Sequence, residues 1–242
     1  MPGIVANAGI RRATLGCMLV VDTSEFSAIP DYRALKAKGA KALIPRVASG
    51  RAHVDAKVDR HVEAALAAGL RCDVGYGYVR SSQPGDEQAD FMSAECGKRG
   101  LLLFADTEPV YGAKVATDAP AVARLVVAAF LRRWLGARGV RCGVYGPAAY
   151  VDALNLDPDL CGPLWTAHAE VSRPMHSRPW GGAHVLHQYE LDAYGEAPGA
   201  KVDWSQTDLD YAELLACLRA GAWSPPPPSE KSDPPVTPCS PR

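Results

Sequence analysis

Two acidic residues separated by one position give the clearest chemical signal in the sequence. Asp106 and Glu108 follow the apolar run from Leu101 to Ala105. Residues two apart on a strand project from the same face, roughly 6.6 Å from each other along the backbone. Two carboxyl groups crowded into a partly desolvated mouth have separated pKa values, so that one keeps its proton while the other is ionised. The pair predicts acid-catalysed cleavage of a glycosidic bond. In the structural alternative, the two acids cap the following loop or form an ion pair with a basic residue such as Arg46.

Two further acids lie where strands are expected. Asp22 ends the run Val20-Val21-Asp22, and Asp203 lies within Lys201-Val202-Asp203-Trp204. Enzymes built on parallel α/β barrels carry their sites where the strands end. Because a buried carboxylate without a partner is costly, four acids converging on one mouth are hard to explain by structure alone. We predict a catalytic group made of Asp22, Asp106, Glu108 and Asp203.

Aromatic residues recur at or near the ends of the predicted strands. Their faces pack well against the apolar faces of sugar rings, although each one taken singly is more often part of a core. We therefore expect a sugar-binding groove around the acids. The aromatic residues concerned are Tyr78, Tyr145, Trp165, Tyr189 and Trp204.

Other chemistries lack their motifs. No G-x-S-x-G elbow surrounds a serine, the histidines lack H-E-x-x-H spacing, and no G-x-G-x-x-G follows the first predicted strand. The seven cysteines form no C-x-x-C and no tight cluster with histidine, which argues against zinc and favours reduced thiols. We predict a site that uses neither a metal nor a cofactor.

The elements that must position these residues follow a βα pattern. Short runs rich in Val, Leu and Ala alternate with segments of helical period, which is typical of a buried parallel sheet. We expect an α/β fold, a single TIM-like (β/α) barrel of about eight strands with some helices missing; an open doubly wound sheet is the alternative. The predicted strands cover 16–22, 40–47, 71–79, 100–106, 140–145, 163–167, 183–189 and 201–204, and the predicted helices cover 31–38, 54–68, 83–96, 118–137, 148–154 and 209–219.

Composition limits the partners and the domain organisation. The chain has 242 residues, of which 48% are hydrophobic, and a net charge of −1, with no basic stripe for nucleic acid and no apolar run long enough for a membrane span. The short apolar run 15–21 is too brief for a signal peptide.

The domain organisation follows from a change in composition near the end of the chain. Eight of the last 19 residues are proline, which favours an extended tail. We therefore predict an N-terminal extension over 1–15, a barrel over 16–223 and a Pro-rich, disordered or linker tail over 224–242.

Taken in chain order, these residues resemble the family 25 glycoside hydrolases, the Chalaropsis-type lysozymes of phages and bacteria. The resemblance runs from about Met18 to Asp210, and its motifs are weak singly but fairly specific in their order and spacing. They are Asp22-Thr23-Ser24, Tyr32 to Gly39, Leu43-Ile44-Pro45-Arg46, Ala67-Ala68-Gly69-Leu70, Val74-Gly75, Gln88-Ala89, Phe91, Asp106-Thr107-Glu108, Gly143-Val144-Tyr145, Leu164-Trp165, Ala167, Gln188-Tyr189 and Val202-Asp203. A more distant resemblance is to the glycoside-hydrolase-like barrel domain of some exported actinobacterial proteins.

The family 25 resemblance implies an N-acetylmuramidase that cleaves the β-1,4 bond between N-acetylmuramic acid and N-acetylglucosamine in peptidoglycan, without a metal. It implies that Glu108 is the general acid and that Asp106 is its partner or stabilises the developing positive charge. Asp22 and Asp203 would then be flanking acids of the groove. The substrate-binding residues expected from the resemblance are Arg46, Tyr78, Tyr145, Trp165, Gln188 and Tyr189.

Three positions depart from the family pattern. Gly77 stands where the family has tyrosine, Ala169 where it has an aromatic residue, and His187 where it has tryptophan. Because these replacements remove side-chain volume, we expect a wider groove that stacks less well on sugar rings and binds short glycan oligomers more weakly.

Two functions from different classes fit this sequence. The first is a phage-type endolysin or virion-associated muramidase whose partner is the glycan strand, with neither nucleic acid nor membrane bound. Made in the host cytoplasm without a signal peptide, it would reach the cell wall through holins or within a virion. The second is a non-catalytic lysozyme-like barrel that serves as a virion component or wall-binding module, with the Pro-rich tail as its attachment.

Overall fold

A computed structural model describes residues 17–109, 119–169, 171, 177–194 and 201–221. The predicted N-terminal extension and Pro-rich tail lie outside these residues. The strands are β1 (Met18–Thr23), β2 (Ala40–Ser49), β3 (His53–Val54), β4 (Val74–Tyr78), β5 (Leu102–Asp106), β6 (Gly143–Pro147), β7 (Leu164–Ala167), β8 (Leu186–Tyr194) and β9 (Lys201–Thr207). The helices are α1 (Tyr32–Ala37), α2 (Val58–Ala67), α3 (Gly85–Arg99), α4 (Pro120–Arg138), α5 (Ala148–Leu154) and α6 (Tyr211–Ala220), with a 3₁₀ turn at Arg178–Trp180.

The strands close into a barrel. Their order is β1-β9-β8-β7-β6-β5-β4-β2-β3, and β1 also pairs with β2, so eight strands form the closed wall while the short β3 extends β2 as a hairpin. Between β7 and β8 the described residues contain the 3₁₀ turn where a crossover helix would be expected. The predicted α/β barrel of about eight strands with missing helices is confirmed, and the doubly wound sheet is excluded.

One strand runs against the parallel pattern that the sequence predicted. Within the closed wall, β1, β2 and β4 to β8 are parallel to one another, but β9 is antiparallel to both β8 and β1. The reason is the length of the connection, since only residues 195–200 join β8 to β9. A parallel crossover needs a dozen residues or more, so six residues can make only a hairpin.

Local signals set the helix ends. Helix α6 begins at a capping box in which the Asp210 side chain accepts from the Glu213 backbone N and the Glu213 side chain accepts from the Asp210 backbone N. Helix α4 ends at Gly139, which has a φ of 69° and so takes the left-handed turn that stops a helix at little steric cost.

Apolar side chains fill both the inside of the barrel and the layer beneath the helices. The outer layer packs α3 and α4 against the sheet through residues such as Met92, Phe130 and Trp134. The barrel interior is filled by Val20, Ile44, Val74, Phe104, Trp165 and Leu186, among others. No helix within the described ranges is both long enough and apolar enough to cross a membrane.

Candidate active site

A cleft of about 210 Å³ opens at the end of the barrel where the parallel strands finish. It contains all four acids that the sequence singled out, together with aromatic and amide side chains. A depression of similar size beside α1 and α2 is lined by Tyr32, His61, Lys57 and Arg60 and by no carboxylate, so we place the chemistry in the acid cleft. The residues lining the acid cleft are Asp22, Tyr76, Asp106, Glu108, Tyr145, Pro147, Trp165, Ala167, Gln188 and Asp203.

The strand register brings the acids to one level of the barrel. Asp22 on β1 pairs directly with Asp203 on β9. Asp106 on β5 pairs with Tyr78 on one side and Tyr145 on the other. Because β9 is antiparallel, Asp203 reaches the mouth from the beginning of its strand, whereas Asp22 and Asp106 lie near the ends of theirs. The expected common placement at strand ends is therefore wrong for Asp203, although its side chain still faces the cleft.

Glu108 follows the end of β5 and lies at the rim of the cleft, next to the buried Asp106. The Glu108 backbone N donates to Asp106 Oδ1 at 3.1 Å, and the Thr107 hydroxyl donates to the Tyr145 carbonyl at 2.9 Å. Asp106 is buried and Glu108 is half-buried at the rim. The loop cap considered from the sequence does exist, but it leaves Asp106 in the cleft lining. Arg46 does not bond to either acid, since its guanidinium is held by Glu25 and Asp55.

A hydrogen-bonded chain fixes the orientation of Asp22. The Tyr145 hydroxyl donates to Gln188 Oε1 at 2.7 Å, and Gln188 Nε2 donates to Asp22 Oδ2 at 2.9 Å. Because the amide oxygen is occupied by Tyr145, the amide nitrogen must face Asp22. The three buried groups thus form one positioned unit at the base of the cleft.

The acids of the cleft hold protons more tightly than ordinary carboxyl groups. Burial and then the charge of Asp203 raise the pKa of Asp22 well above its usual value. Burial and then the charge of Glu108 do the same for the pKa of Asp106, and burial followed by Asp203 raises the pKa of Glu108. Carboxylates this close cannot all be ionised, so the cluster retains protons at a pH where exposed acids have lost theirs.

The aromatic floor of the cleft is rigid. Trp165 Nε1 donates to the Ser205 hydroxyl at 3.0 Å, and the ring centroid lies 4.5 Å from that of Tyr145 and 6.1 Å from that of Tyr76. Burial raises the pKa of both tyrosines well above 10, so both phenols stay neutral and can donate hydrogen bonds. Sequence reasoning missed Tyr76. The alternation Val74, Tyr76, Tyr78 along β4 carried the signal, because residues two apart share a face.

Three predicted substrate-binding residues lie outside the lining of the acid cleft. Arg46 is bound in ion pairs at the rim, and Tyr78 lies one step further along β4 than the cleft-lining Tyr76. Tyr189 packs against the outer layer formed by Val202 and Trp204, and burial raises its pKa to about 12. The other three predicted residues, Tyr145, Trp165 and Gln188, do line the cleft.

Two of the three residues that depart from the family pattern do not widen the cleft. A Cβ atom at Gly77 would collide with the Met92 sulfur in the outer layer, so Gly77 faces α3. The His187 ring nitrogen Nε2 lies 2.9 Å from the His168 carbonyl, on the side of β8 opposite Gln188. Ala169 follows β7 beyond the cleft-lining Ala167. The expectation of a wider groove is therefore wrong at Gly77 and His187, which face away from the cleft, and it stays a prediction at Ala169.

The described part of the chain holds no group of three or more His, Cys, Asp or Glu side chains arranged to bind a metal ion. No disulfide joins the six described cysteines, from Cys17 to Cys217, and Cys239 lies outside the described residues.

Comparison with known proteins identifies relatives of this fold. Residues 21–197 match the family model described as Glycosyl hydrolases family 25. Among solved structures, a bacterial lysozyme from Streptomyces coelicolor aligns with a TM-score of 0.71 and 18% identity, covering 84% of this chain and 97% of that one. A family GH25 lysozyme from Aspergillus fumigatus gives 0.70 and 19%, with coverage of 84% and 99%. The catalytic domain of an endolysin from a Listeria monocytogenes bacteriophage gives 0.63 and 18%, with coverage of 86% and 100%. No curated protein matches the chain.

Proposed function

Since the chain belongs to family 25 of the glycosyl hydrolases and is a glycoside hydrolase of the lysozyme type, we propose that it hydrolyses the β-1,4 bond between N-acetylmuramic acid and N-acetylglucosamine in peptidoglycan. The observation that carries the proposal is the placement of Glu108. A carboxyl group with a raised pKa lies at the rim of a cleft whose deeper walls carry three more acids. This is the arrangement that acid-catalysed glycoside cleavage requires.

Glu108 is the general acid in this proposal. It is the half-buried member of the pair at the mouth, and so can reach a substrate oxygen that Asp106 beneath it cannot. As the bond between the anomeric carbon and the bridging oxygen breaks, the Glu108 proton passes to that oxygen and the departing sugar leaves as an alcohol. A water molecule then supplies the hydroxyl group that bonds to the anomeric carbon, and its remaining proton returns to the Glu108 carboxylate, which restores the acid and leaves a new reducing end. The raised pKa keeps the proton available at a pH where an ordinary glutamate is ionised.

Asp106 and Asp22 stabilise the positive charge that develops on the sugar ring. Both are buried and share their protons with the neighbouring acids, so whichever carboxyl group is ionised supplies a negative charge that acts more strongly there than in water. The Tyr145–Gln188–Asp22 chain holds one carboxylate in place before the substrate arrives. Asp203 faces Asp22 across the β1–β9 pair and completes the ring of acids, while the half-buried Tyr76, supported by Trp165 beneath it, provides apolar surface for the sugar.

The biological role we propose is lysis of the bacterial wall by an endolysin or virion-borne muramidase, with the Pro-rich segment 224–242 as a linker or attachment arm. The structural similarity to the phage endolysin domain supports this role. Fractionation of purified virions from the source phage tests it, since a virion component is recovered with the particles whereas an endolysin released through holins is recovered only in the lysate. Absence of the chain from both fractions would contradict the phage role.

Digestion of purified peptidoglycan tests the chemistry. We expect turbidity to fall and new reducing ends to form, and borohydride labelling should place them on N-acetylmuramic acid. Glu108→Gln should produce none, whereas Glu87→Gln, which removes an exposed carboxylate paired with Arg51, should behave like the wild type. Reducing ends on N-acetylglucosamine would contradict the bond assignment. A folded protein that binds peptidoglycan but releases no ends would be the non-catalytic module instead.

A further inference from the structure

One large apolar side chain near the acid cleft is exposed to solvent. Phe26, on the loop between β1 and α1, is 77% exposed. Single exposed apolar residues are common on protein surfaces and carry no meaning alone. Phe26, however, lines a second depression of about 200 Å³ together with Ser24, Ser27 and Val202. That depression shares Asp22, Tyr76 and Asp203 with the acid cleft, so the two form one continuous trough across the mouth of the barrel.

The loop that carries Phe26 is held firmly. It forms a turn in which the Ser27 backbone N donates to the Ser24 carbonyl at 2.8 Å, and the Phe26 backbone N donates to the Ser24 hydroxyl at 3.3 Å. The Glu25 backbone N donates to the buried Asp55 carboxylate at 2.8 Å. An exposed ring on such a turn has already lost the backbone freedom that binding would otherwise cost.

A fixed cation orients the ring. The Arg46 guanidinium carbon lies 5.1 Å from the Phe26 ring centroid. The same guanidinium donates to Glu25 at 2.6 Å and to Asp55 at 2.9 Å, and the His53 ring lies 3.0 Å from both Glu25 carboxylate oxygens. Since Arg46 covers one face of the ring, the exposed area belongs mainly to the other face and the edge.

We propose that Phe26 is a stacking platform for a sugar ring of the glycan strand, on the side of the acids away from Pro147 and Ala167. This assignment rests on the proposed function and names a further substrate-positioning residue for it. A pyranose presents an apolar C–H face that packs on an aromatic ring, and its hydroxyl groups can meet the polar rim formed by Ser24 and Ser27. A strand lying along the trough then contacts Phe26 at one end and the wall formed by Pro147 and Ala167 at the other, with its scissile bond at the acids between them.

Kinetics on soluble peptidoglycan oligomers of graded length test the platform. Phe26→Ala should raise KM about three- to tenfold on oligomers long enough to span both depressions, as expected for the loss of one aromatic contact. It should leave kcat within about twofold, because the acids are untouched. On the shortest cleaved oligomers, which fill only the acid cleft, KM should not change. Phe26→Trp should retain wild-type KM, and Phe26→Leu should resemble Phe26→Ala.

Leu125→Ala is the matched control, since it removes a side chain that is 65% exposed on α4 and lines neither depression. If Phe26→Ala has the same KM as Leu125→Ala, Phe26 is not a stacking platform. A wild-type KM for Phe26→Leu would lead to the same conclusion. Neither result would contradict the proposed hydrolase activity. Failure of the proposed function shows differently, because the wild type itself would then release no reducing ends. Calorimetric titration of the same oligomers into Glu108→Gln and into Glu108→Gln with Phe26→Ala should give the same three- to tenfold difference in Kd.

Discussion

The mouth of the barrel carries two groups of buried or half-buried carboxylates that differ in the charges around them. In the acid cleft, Asp22 and Asp106 face other acids, and their pKa values are raised by burial and by those neighbours. At the rim, Glu25 and Asp55 face Arg46 at 2.6 and 2.9 Å. Although partial burial raises the pKa of Glu25, hydrogen bonds from His53 and Ala56 and the charge of Arg46 hold it below the usual value. The same residue types therefore store protons in one place and anchor a loop in the other.

The physical reason for the difference is a bonded cation. A buried carboxylate that is bonded to a fixed guanidinium is stabilised as an ion and can serve structure. The charge of Arg46 also lowers the pKa of Asp106, but burial and the charge of Glu108 outweigh it and raise that pKa, so an ionised Asp106 destabilises the fold at neutral pH. A site that costs stability is expected where function requires it. Removing a carboxylate from the cleft should consequently lower activity without lowering stability. Removing one from the rim should lower stability and leave activity nearly unchanged.

The largest expected effect is on activity. Glu108→Gln should lower the rate of peptidoglycan hydrolysis by about 10²- to 10⁴-fold, because an amide cannot give a proton to the bridging oxygen. The melting temperature should not fall, since the replacement has the same shape and removes a charge that burial opposes. Initial rates and thermal melts of the two purified proteins check this. A rate within tenfold of wild type would remove Glu108 from the role of acid.

The next effect is on stability at the rim. Asp55→Asn should cost about 3 kcal/mol of unfolding free energy, because it leaves the Arg46 charge with one partner fewer in a largely buried position. Urea denaturation monitored by circular dichroism measures the loss. Activity per folded molecule should change little on short oligomers. A variant as stable as wild type would mean that the rim ion pairs do not anchor the loop.

A smaller effect of opposite sign is expected in the cleft. The pKa of Asp106 is higher in the folded than in the unfolded protein, so the stability associated with this group is greatest below about pH 4 and is lost as the pH rises through the folded pKa. Asp106→Asn should therefore raise the melting temperature by a few degrees at pH 7, with no gain at pH 3. Melting curves over that range test it, and a stability gain independent of pH would contradict the raised pKa.

The smallest effect concerns the outermost member of the rim group. His53 is about half exposed in its side chain where it contacts Glu25 at 3.0 Å. His53→Ala should change the unfolding free energy by less than about 1 kcal/mol, because exposed ion pairs are weak. The same urea titration measures it beside Asp55→Asn. A loss as large as that of Asp55→Asn would show that anchoring of the loop depends on the exposed contact as well as on the buried one.

Much of the architecture could be predicted from local patterns. The helical period and the terminal glycine located α4 within two residues at its start, and α5 falls on its predicted bounds. The apolar runs that end in Asp22 and Asp106 located two strands and the acids that follow them. These signals depend on neighbours in the chain, so no tertiary contact was needed to find them.

The sequence by itself determined the alternation of strands and helices, the positions of Asp22 and Asp106 at the ends of strands, and the family. Only the tertiary structure decided which face of each strand meets the barrel axis. It placed Tyr76 in the cleft and turned Gly77 toward Met92, and a register shift after Gln188 accompanies Tyr189 in the outer layer. A period of two reveals two faces without saying which is inward, and the partners that separate the two carboxylate groups lie far apart in the chain. Asp22 meets Gln188 across 166 positions, so its environment exists only once the barrel has closed.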